Sequence, residues 1–274
     1  MTYEAVVSGD AAEALDTCRE FLATDPIRHN VIWTLLRARA ETGTSGRFAW
    51  VAERGAVVGV SLQSPAGLRA TLTPMPTGAI VPLVSALRDA GAELPGATGQ
   101  ANATARFAGL WTEQAKVGGR PVGADRMYAI TRVRPPEVAR GSARPATSED
   151  ADTLVRWLES SHEETGEIGS DPDVMVMAAI AAGHYWVWDV DGPVSMAAVT
   201  PEVGGVTRIR GVYTPGDQRS NGYAAACVAK LSSNAVSRGV IPMLYTDLQN
   251  PVSNAVYRRI GYRAIDEVLH YQFS

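Results

Sequence analysis

The stretch from Thr207 to Ser237 constrains the chain more than any other part of it. Thr207 to Thr214 is rich in β-branched and aromatic residues and predicts a strand, which Pro215 and Gly216 end. Residues 212–222 read V-Y-T-P-G-D-Q-R-S-N-G, and after Tyr223 and Ala224 a helix is predicted from Ala225 to Ser237. Ala226, Val228, Ala229 and Leu231 suit that helix to packing on a sheet, and Arg238-Gly239 supplies its stop. A strand, a polar glycine-bearing turn and a helix in direct succession aim successive backbone N–H groups into one concavity beside the positive end of a helix dipole. That geometry holds phosphate oxygens without needing a cationic side chain. Gly222 and Ala224 are small enough for the backbone to approach a ligand closely, and Arg219 adds a charge-assisted contact.

A second block follows. Leu244-Tyr245-Thr246-Asp247 predicts a short strand, and Asn250-Pro251-Val252-Ser253-Asn254-Ala255-Val256-Tyr257-Arg258-Arg259-Ile260-Gly261-Tyr262 predicts a helix with both ends marked. Pro251 favours the first helical turn, Ser253 and Asn254 can bond nearby backbone, Tyr257 lies on their face of the helix, and Gly261 closes it.

Arg219-x-x-Gly222-x-Ala224, followed by the block from Asn250 to Tyr262, resembles the signature of the GNAT acyltransferase superfamily. The resemblance implies a mixed α/β fold in which the first turn holds the pyrophosphate of acetyl-CoA. Val212, Tyr213, Thr214, Arg219, Ser220, Asn221, Gly222, Tyr223 and Ala224 are then the cofactor loop and its strand. Val212 and Thr214 would offer backbone groups to the pantetheine, and a strand N–H would polarise the thioester carbonyl. The resemblance also assigns Asn250 and Asn254 to the cofactor side, Asn250 near the pantetheine arm or an ordered water, although an ordinary helix cap explains Asn250 equally. Tyr257 matches the tyrosine that points at the CoA sulfur and protonates the leaving thiolate. The alternative is a tyrosine packed on the sheet with its hydroxyl satisfied elsewhere.

The implied chemistry is direct acyl transfer to an amine, of a small molecule, a lysine side chain or an N-terminus, with groups other than amino-acyl groups transferred. Alignment of the two reactants supplies much of the rate. An amine of pKa near 10.4 is mostly protonated at neutral pH, so a base must remove its proton. Trp157 and Glu164 are seven apart and share one face of a helix that in this fold borders the acceptor pocket, which makes Glu164 the first candidate. Glu163, Glu167, Asp247 and His184 are rivals. The acidic cluster Glu163, Glu164 and Glu167 is equally a solvated face; if it lines the pocket it favours a cationic acceptor such as a polyamine, an aminoglycoside or a lysine side chain.

The order of predicted elements extends the resemblance. Two prolines, a glycine and polar residues interrupt the apolar periodicity from Arg134 to Ser142, which divides the chain into residues 1–135 and 141–274. The second part starts with a strand near Ala143 to Ala146, then Thr147-Ser148-Glu149-Asp150 forms a capping box for a helix through Leu154, Val155 and Leu158. A helix over Asp173 to Ala182, a hairpin of Tyr185 to Val190 and Val194 to Thr200 across Asp191-Gly192, and a last strand near Val268 to Phe273 complete it. The first part is a fainter copy: helices at Ala11 to Thr24 and Ile27 to Glu41, strands at Phe48 to Glu53 and Val57 to Ser64 across Arg54-Gly55, a strand near Leu68 to Leu72, helices at Gly78 to Asp89 and Ala101 to Lys116, and a strand at Met127 to Val133. After Thr73 it reads Pro74-Met75-Pro76-Thr77-Gly78, with no match to the cofactor loop. The expectation is a tandem whose degenerate first domain shapes the substrate pocket, stabilises the second, or does both; the alternative is an unrelated α/β domain. Trp188-Asp189-x-Asp191-Gly192, Val212-Tyr213-Thr214-Pro215 and Tyr245-Thr246-Asp247-x-x-Asn250-Pro251 resemble a group of predicted bacterial tandem GNAT proteins.

Composition excludes several other classes. Of 274 residues, 46% are hydrophobic and 20% charged, so a globular chain is expected. A net charge of -4 gives no basic footprint for nucleic acid. The start has no basic segment followed by an apolar core and no run of about 18 apolar residues occurs, so the reading is cytoplasmic with no membrane partner. Cys18 and Cys227 are expected to be reduced core thiols, and His29, His162, His184 and His270 form no metal-ligand spacing, so no metal is expected. Pairing of two copies through an exposed edge or apolar face stays open. Two other functions remain: a non-catalytic acyl-CoA-binding regulatory module, and a tandem acyltransferase acting on a thiol or aminoacyl group in small-thiol biosynthesis.

Overall fold

The computed structural model describes residues 2–136, 140–165 and 172–274. They form two compact units. The first comprises Met1–Met127, Thr246–Gln249 and Ile265–Ser274, and the second comprises Tyr128–Tyr245 and Asn250–Ala264.

The first unit runs β1 (Tyr3–Ser8), α1 (Ala11–Thr24), α2 (Asn30–Thr42), β2 (Arg47–Glu53), β3 (Ala56–Gln63), β4 (Ala70–Leu72), α3 (Ile80–Asp89), β5 (Gly96–Gln100), α4 (Ala101–Ala115) and β6 (Gly119–Ala129). Strands β1 to β4 pair antiparallel in chain order, and β4 pairs parallel with β5. Period-two alternation sorts the side chains. Phe48, Trp50, Val60 and Leu62 are buried against Ala14, Cys18 and Leu22 of α1 and Ile32 and Leu36 of α2, while Ala49, Val51, Ala70 and Leu72 join Leu83 of α3 and Phe107 and Trp111 of α4.

The chain after β6 repeats that order among its described helices and strands: β7 (Ser142–Pro145), α5 (Ala151–Thr165), α6 (Pro172–Ala181), β8 (Tyr185–Asp189), β9 (Pro193–Val199), β10 (Val206–Tyr213), α7 (Tyr223–Val236), β11 (Ile241–Asp247), α8 (Pro251–Ile260) and β12 (Arg263–Phe273), all of it in the second unit except the last two residues of β11 and β12 from Ile265 on. Strands β7 to β10 are antiparallel neighbours and β10 pairs parallel with β11. One face of this sheet presents Tyr185, Val187, Met196 and Ala198 to Leu154 and Leu158 of α5 and Val176 of α6. The other presents Trp188, Ala197, Ile209 and Leu244 to Cys227, Val228 and Leu231 of α7 and Ile260 of α8. The expected capping box is present, with Thr147 and Asp150 satisfying each other's backbone ahead of α5, and Arg144 holds the Asp150 carboxylate at 2.7 and 2.9 Å.

Several elements differ from the sequence expectation. β1 and β5 were not foreseen; Gly96-Ala-Thr-Gly-Gln100 lacks the bulky residues that mark a strand, because a Cβ at Gly96 would run into the carbonyl of Tyr271 and one at Gly99 into the carbonyl of Leu72. β6 starts at Gly119 rather than Met127, and α7 starts at Tyr223 rather than Ala225. The last strand, expected to complete a domain over 141–274, instead pairs antiparallel with β5 in the first unit, from Val268 opposite Gln100 to Gln272 opposite Gly96. Phe273 is buried there with its ring 6.3 Å from Trp111. The division falls between Met127 and Tyr128 rather than in the proline-rich stretch, of which residues 137–139 lie outside the described residues. Cys18 and Cys227 are both free and buried, and burial pushes each thiol up to about 12. Among the described residues no helix is long and apolar enough to cross a membrane, and no three His, Cys, Asp or Glu gather as a metal site.

Candidate active site

The turn singled out in the sequence lies in the second unit. Pro215 starts a single 3-10 turn in which the Gln218 N–H donates to the Pro215 carbonyl at 2.9 Å, and the Asn221 amide donates to the carbonyls of Gln218 and Arg219 at 3.1 and 3.2 Å. Ser220 and Gly222 are left-handed, with φ of 66 and 78. Gly222 is the N-cap of α7 and receives no side-chain cap. The first intrahelical bond runs from Ala226 N–H to Gly222 O, so the N–H groups of Tyr223, Ala224 and Ala225 precede any helical acceptor. A Cβ at Gly222 would meet nothing within 4 Å, so no packed neighbour occupies that side of the turn.

β10, which leads into the turn, opens the sheet beside it. Its parallel pairing with β11 runs from Val206–Ile241 to Arg208–Met243, although β10 continues to Tyr213. On its other edge the register with β9 steps from Arg210–Ala198 to Tyr213–Met196, so β10 carries one extra residue, a bulge at Gly211 and Val212 with Gly211 at φ 57. Backbone groups at the bulge are thereby released from the ladder next to a gap between two parallel strands. No local sequence signal beyond Gly211 announced it. The buried Ser195 anchors the strand end: its hydroxyl donates to the Tyr213 carbonyl at 3.0 Å and shares a hydrogen bond with the Thr214 hydroxyl at 2.8 Å.

Arg219 and Glu164 meet. The Arg219 guanidinium donates to both carboxylate oxygens of Glu164 at 2.8 and 2.7 Å, its Nε donates to the Thr214 carbonyl at 2.9 Å, and its Cζ lies 5.6 Å from the centre of the Tyr213 ring. The Tyr213 hydroxyl donates to Glu164 at 3.2 Å, and the Tyr213 ring tilts against Trp157 at 6.4 Å. Trp157 and Glu164 therefore do share a face of α5. Bonding to Glu164 raises the Arg219 pKa above its ordinary value. In this arrangement the arginine assigned to the anion and the carboxylate assigned to proton removal occupy each other.

The helix α8 is capped as its sequence reads. Asn250 accepts the Ser253 N–H at 2.9 Å and takes the capping role, and Gly261 ends the helix at φ 114. Asn254 is buried: its amide donates to the Asn250 carbonyl at 2.7 Å, and its oxygen accepts the hydroxyl of Tyr128 at 2.9 Å. Its side chain braces the start of α8. Tyr128 is fully buried and was not singled out from sequence; a lone tyrosine at a strand end carries no signal that its partner sits more than a hundred residues away. Tyr257 is 9% exposed in the apolar cluster of α7, α8 and Tyr262, whose ring meets it edge-on at 6.0 Å. Burial pushes the Tyr257 pKa up to about 12, and its hydroxyl has no hydrogen-bond partner among the described residues. It holds its proton at neutral pH.

Of the rival bases, Glu163 is exposed, Asp247 belongs to the first unit and accepts the Gln249 N–H at 2.8 Å, and Glu167 lies outside the described residues. His184 is held below its usual pKa by burial and by Arg210, and stays neutral.

Residues 151–262 match the model of the acetyltransferase (GNAT) family. Over these residues the chain is similar to GNAT acetyltransferase domains. Solved structures similar over the full length include an acetyltransferase of the GNAT family from Colwellia psychrerythraea, at 11% identity and a TM-score of 0.61 with 100% of both chains covered. A GCN5-related N-acetyltransferase from Sphaerobacter thermophilus aligns at 18% identity and a TM-score of 0.62, over 98% of this chain and 95% of that one. A tandem GNAT protein from the clavulanic acid biosynthesis pathway aligns at 14% identity and a TM-score of 0.60, over 100% and 98%. At these identities the likeness is one of fold. The mixed α/β fold expected from the motifs is thus the GNAT fold, with a tandem relative spanning the whole chain. No curated protein matches.

Proposed function

We propose that the second unit binds acetyl-CoA at the turn before α7 and transfers its acetyl group to an amine. The observation that carries the reading is the set of first-turn N–H groups at Tyr223, Ala224 and Ala225, which have no acceptor within the helix, behind the left-handed Gly222 and after a strand that parts from β11 at Arg208. The diphosphate sits on these donors, Arg219 turns from Glu164 to it, and the released Glu164 takes the proton of the attacking amine. The amine nitrogen forms the new bond to the thioester carbonyl carbon, the carbon–sulfur bond breaks, and the departing thiolate takes a proton from Tyr257. Backbone N–H groups at the Gly211–Val212 bulge receive the charge that builds on the carbonyl oxygen. The first unit, over residues 1–135 as read from sequence, serves as a GNAT-like partner without a cofactor loop.

Calorimetry with CoA and an acetyl-CoA-dependent thiol-release screen over amines test the reading. Binding with turnover on at least one amine is expected. No heat of association with a folded protein overturns the whole reading. Binding without turnover across amines, peptides and small thiols overturns the enzyme and leaves an acyl-CoA-binding module.

A further inference from the structure

The sheet face that borders the β10–β11 gap carries, at Arg210, a cation with no counterion among the described residues. Side chains of β10 alternate: Ile209 packs toward α7, so Arg208 and Arg210 lie on the opposite face, that of α5 and α6. Arg210 sits in one cross-strand row with Ala198 and Tyr185, both packed against α5 and α6. It lies past the last β10–β11 pair at Arg208–Met243 and one residue before the bulge, beside the gap itself. Gly211 keeps the next position open: a Cβ there would have the Tyr185 hydroxyl as its neighbour, at 3.7 Å.

Arg210 is exposed, and no hydrogen bond or ion pair holds its guanidinium among the described residues. Its neighbours do not compensate it. His184 and Arg208 are both held below their usual pKa, first by burial and then by the charge of Arg210, while the phenol of Tyr245 acts on Arg208 in the opposite sense. Glu164 of α5 is already bound to Arg219 and Tyr213. An exposed guanidinium beside an opening is available to a bound group of opposite charge.

We infer that Arg210 forms an anion subsite beside the acyl-transfer gap, so that the acceptor is an amine that also carries a carboxylate or a phosphate. The inference rests on the acyl-transfer reading for its place in the reaction. It reverses the cationic acceptor that the acidic run near Glu164 favours in sequence. The anion docks on Arg210 and the amine end reaches the thioester carbonyl, where Glu164 removes its proton.

Matched acceptors test it: phosphoethanolamine against ethanolamine, β-alanine against its amide, and putrescine as the dication, each followed by thiol release from acetyl-CoA. The anionic member of a pair is expected to lead in kcat/KM by roughly tenfold or more, the size of one charge-assisted hydrogen bond. Preference for phosphate or for carboxylate identifies which anion the subsite takes. Arg210→Gln is expected to collapse that lead, and Arg210→Glu to shift preference toward putrescine, with CoA affinity unchanged in calorimetry. A parent enzyme that prefers putrescine or the neutral members, or an Arg210→Glu variant with unaltered ranking, overturns the inference. Should no acceptor turn over while CoA binds, calorimetry of phosphoethanolamine and β-alanine against the parent and Arg210→Glu still decides: loss of binding in the variant supports the subsite while the transfer reading fails, and no binding to the parent overturns the subsite as well.

Discussion

The two units share one element order and differ at three places that the proposed acyl transfer would use. In the second unit the turn after β10 has left-handed Ser220 and Gly222 and ends on an open helix N-terminus. In the first, the turn after β4 contains Pro74 and Pro76, which have no N–H, contains no left-handed residue between Gly67 and Gly91, and brings Gly78 against the ring of Tyr3, 2.8 Å from where a Cβ would lie. In the second unit β10 leaves β11 after Arg208, whereas β4 stays paired with β5 to its end at Leu72 opposite Gly99. The third place is the helix that follows. Tyr257 stands seven residues after the cap Asn250, and seven residues after the cap Gln100 stands Phe107, fully buried and without a hydroxyl. One scaffold was kept twice. The left-handed turn, the parted strands and the tyrosine hydroxyl occur in only one copy, which teaches that the shared fold does not by itself specify them.

The comparison breaks first at the acid. Tyr257→Phe gives the second unit the side chain the first has, and the acetyl-transfer rate should drop roughly 10²–10⁴-fold with CoA affinity retained; an unchanged rate in a thiol-release assay removes the role. Since burial pushes Tyr257 up to about 12, the parent's kcat should show no loss from its ionisation up to pH 10.

Alkali should separate the units next. Burial raises Cys227 and Tyr257 to about 12, and also raises Tyr185 and Tyr262, all in the second unit, against Cys18 in the first. A raised folded-state pKa means that the unfolded chain loses its proton first. The stabilisation is complete below pH 9 for the thiols and below pH 10 for the phenols, and is lost as pH climbs toward 12, by about 1.4 kcal/mol per pH unit for each group. Hydrogen exchange between pH 8 and pH 10.5 should therefore show the second unit loosening ahead of the first, and equal loosening would refute the assignment.

Glycine exchanges sharpen the contrast between the turns. Gly222→Ala meets no atom but forces a side chain into left-handed backbone, costing about 1–2 kcal/mol of stability, and it moves the donors that face the diphosphate, so CoA should bind roughly tenfold more weakly. Gly78→Ala crowds Tyr3 and should leave CoA affinity as it was. Titration calorimetry on both variants compares them directly; equal losses would mean the first turn also takes part. The smallest effect is expected at Glu164→Gln. Freeing Arg219 from a half-exposed ion pair, worth at most about 1 kcal/mol, should tighten CoA by up to about fivefold while turnover falls. Tightening without slower turnover would leave Glu164 a latch and not a base.

Much of this could be read along the chain. The hairpins at Arg54-Gly55 and Asp191-Gly192 have positive φ at both turn residues, the box Thr147–Asp150 forms, and Asn250 with Gly261 bounds α8. Each is a contact over a few residues, set by side chains that compete for nearby backbone. Glu164 and Trp157 were matched by helical spacing, yet the partner that occupies Glu164 was not visible. Arg219 is far along the chain, and whether it serves an anion or a carboxylate depends on how α5 lies against β10. The strand β5, glycine-rich because a neighbouring backbone presses on it, offered no propensity to read.

By itself the sequence determined most of the elements, their order and the glycine-bearing turn, because capping, left-handed glycine and hydrophobic period act within a few residues. Tertiary structure alone decided where β10 parts from β11, that β12 pairs with β5, that Tyr128 braces α8 through Asn254, and that Arg210 stands beside the gap with no counterion among the described residues. Those depend on hydrogen bonds and charges between residues tens to hundreds of positions apart, and a strand's own residues do not specify which distant edge will satisfy its backbone.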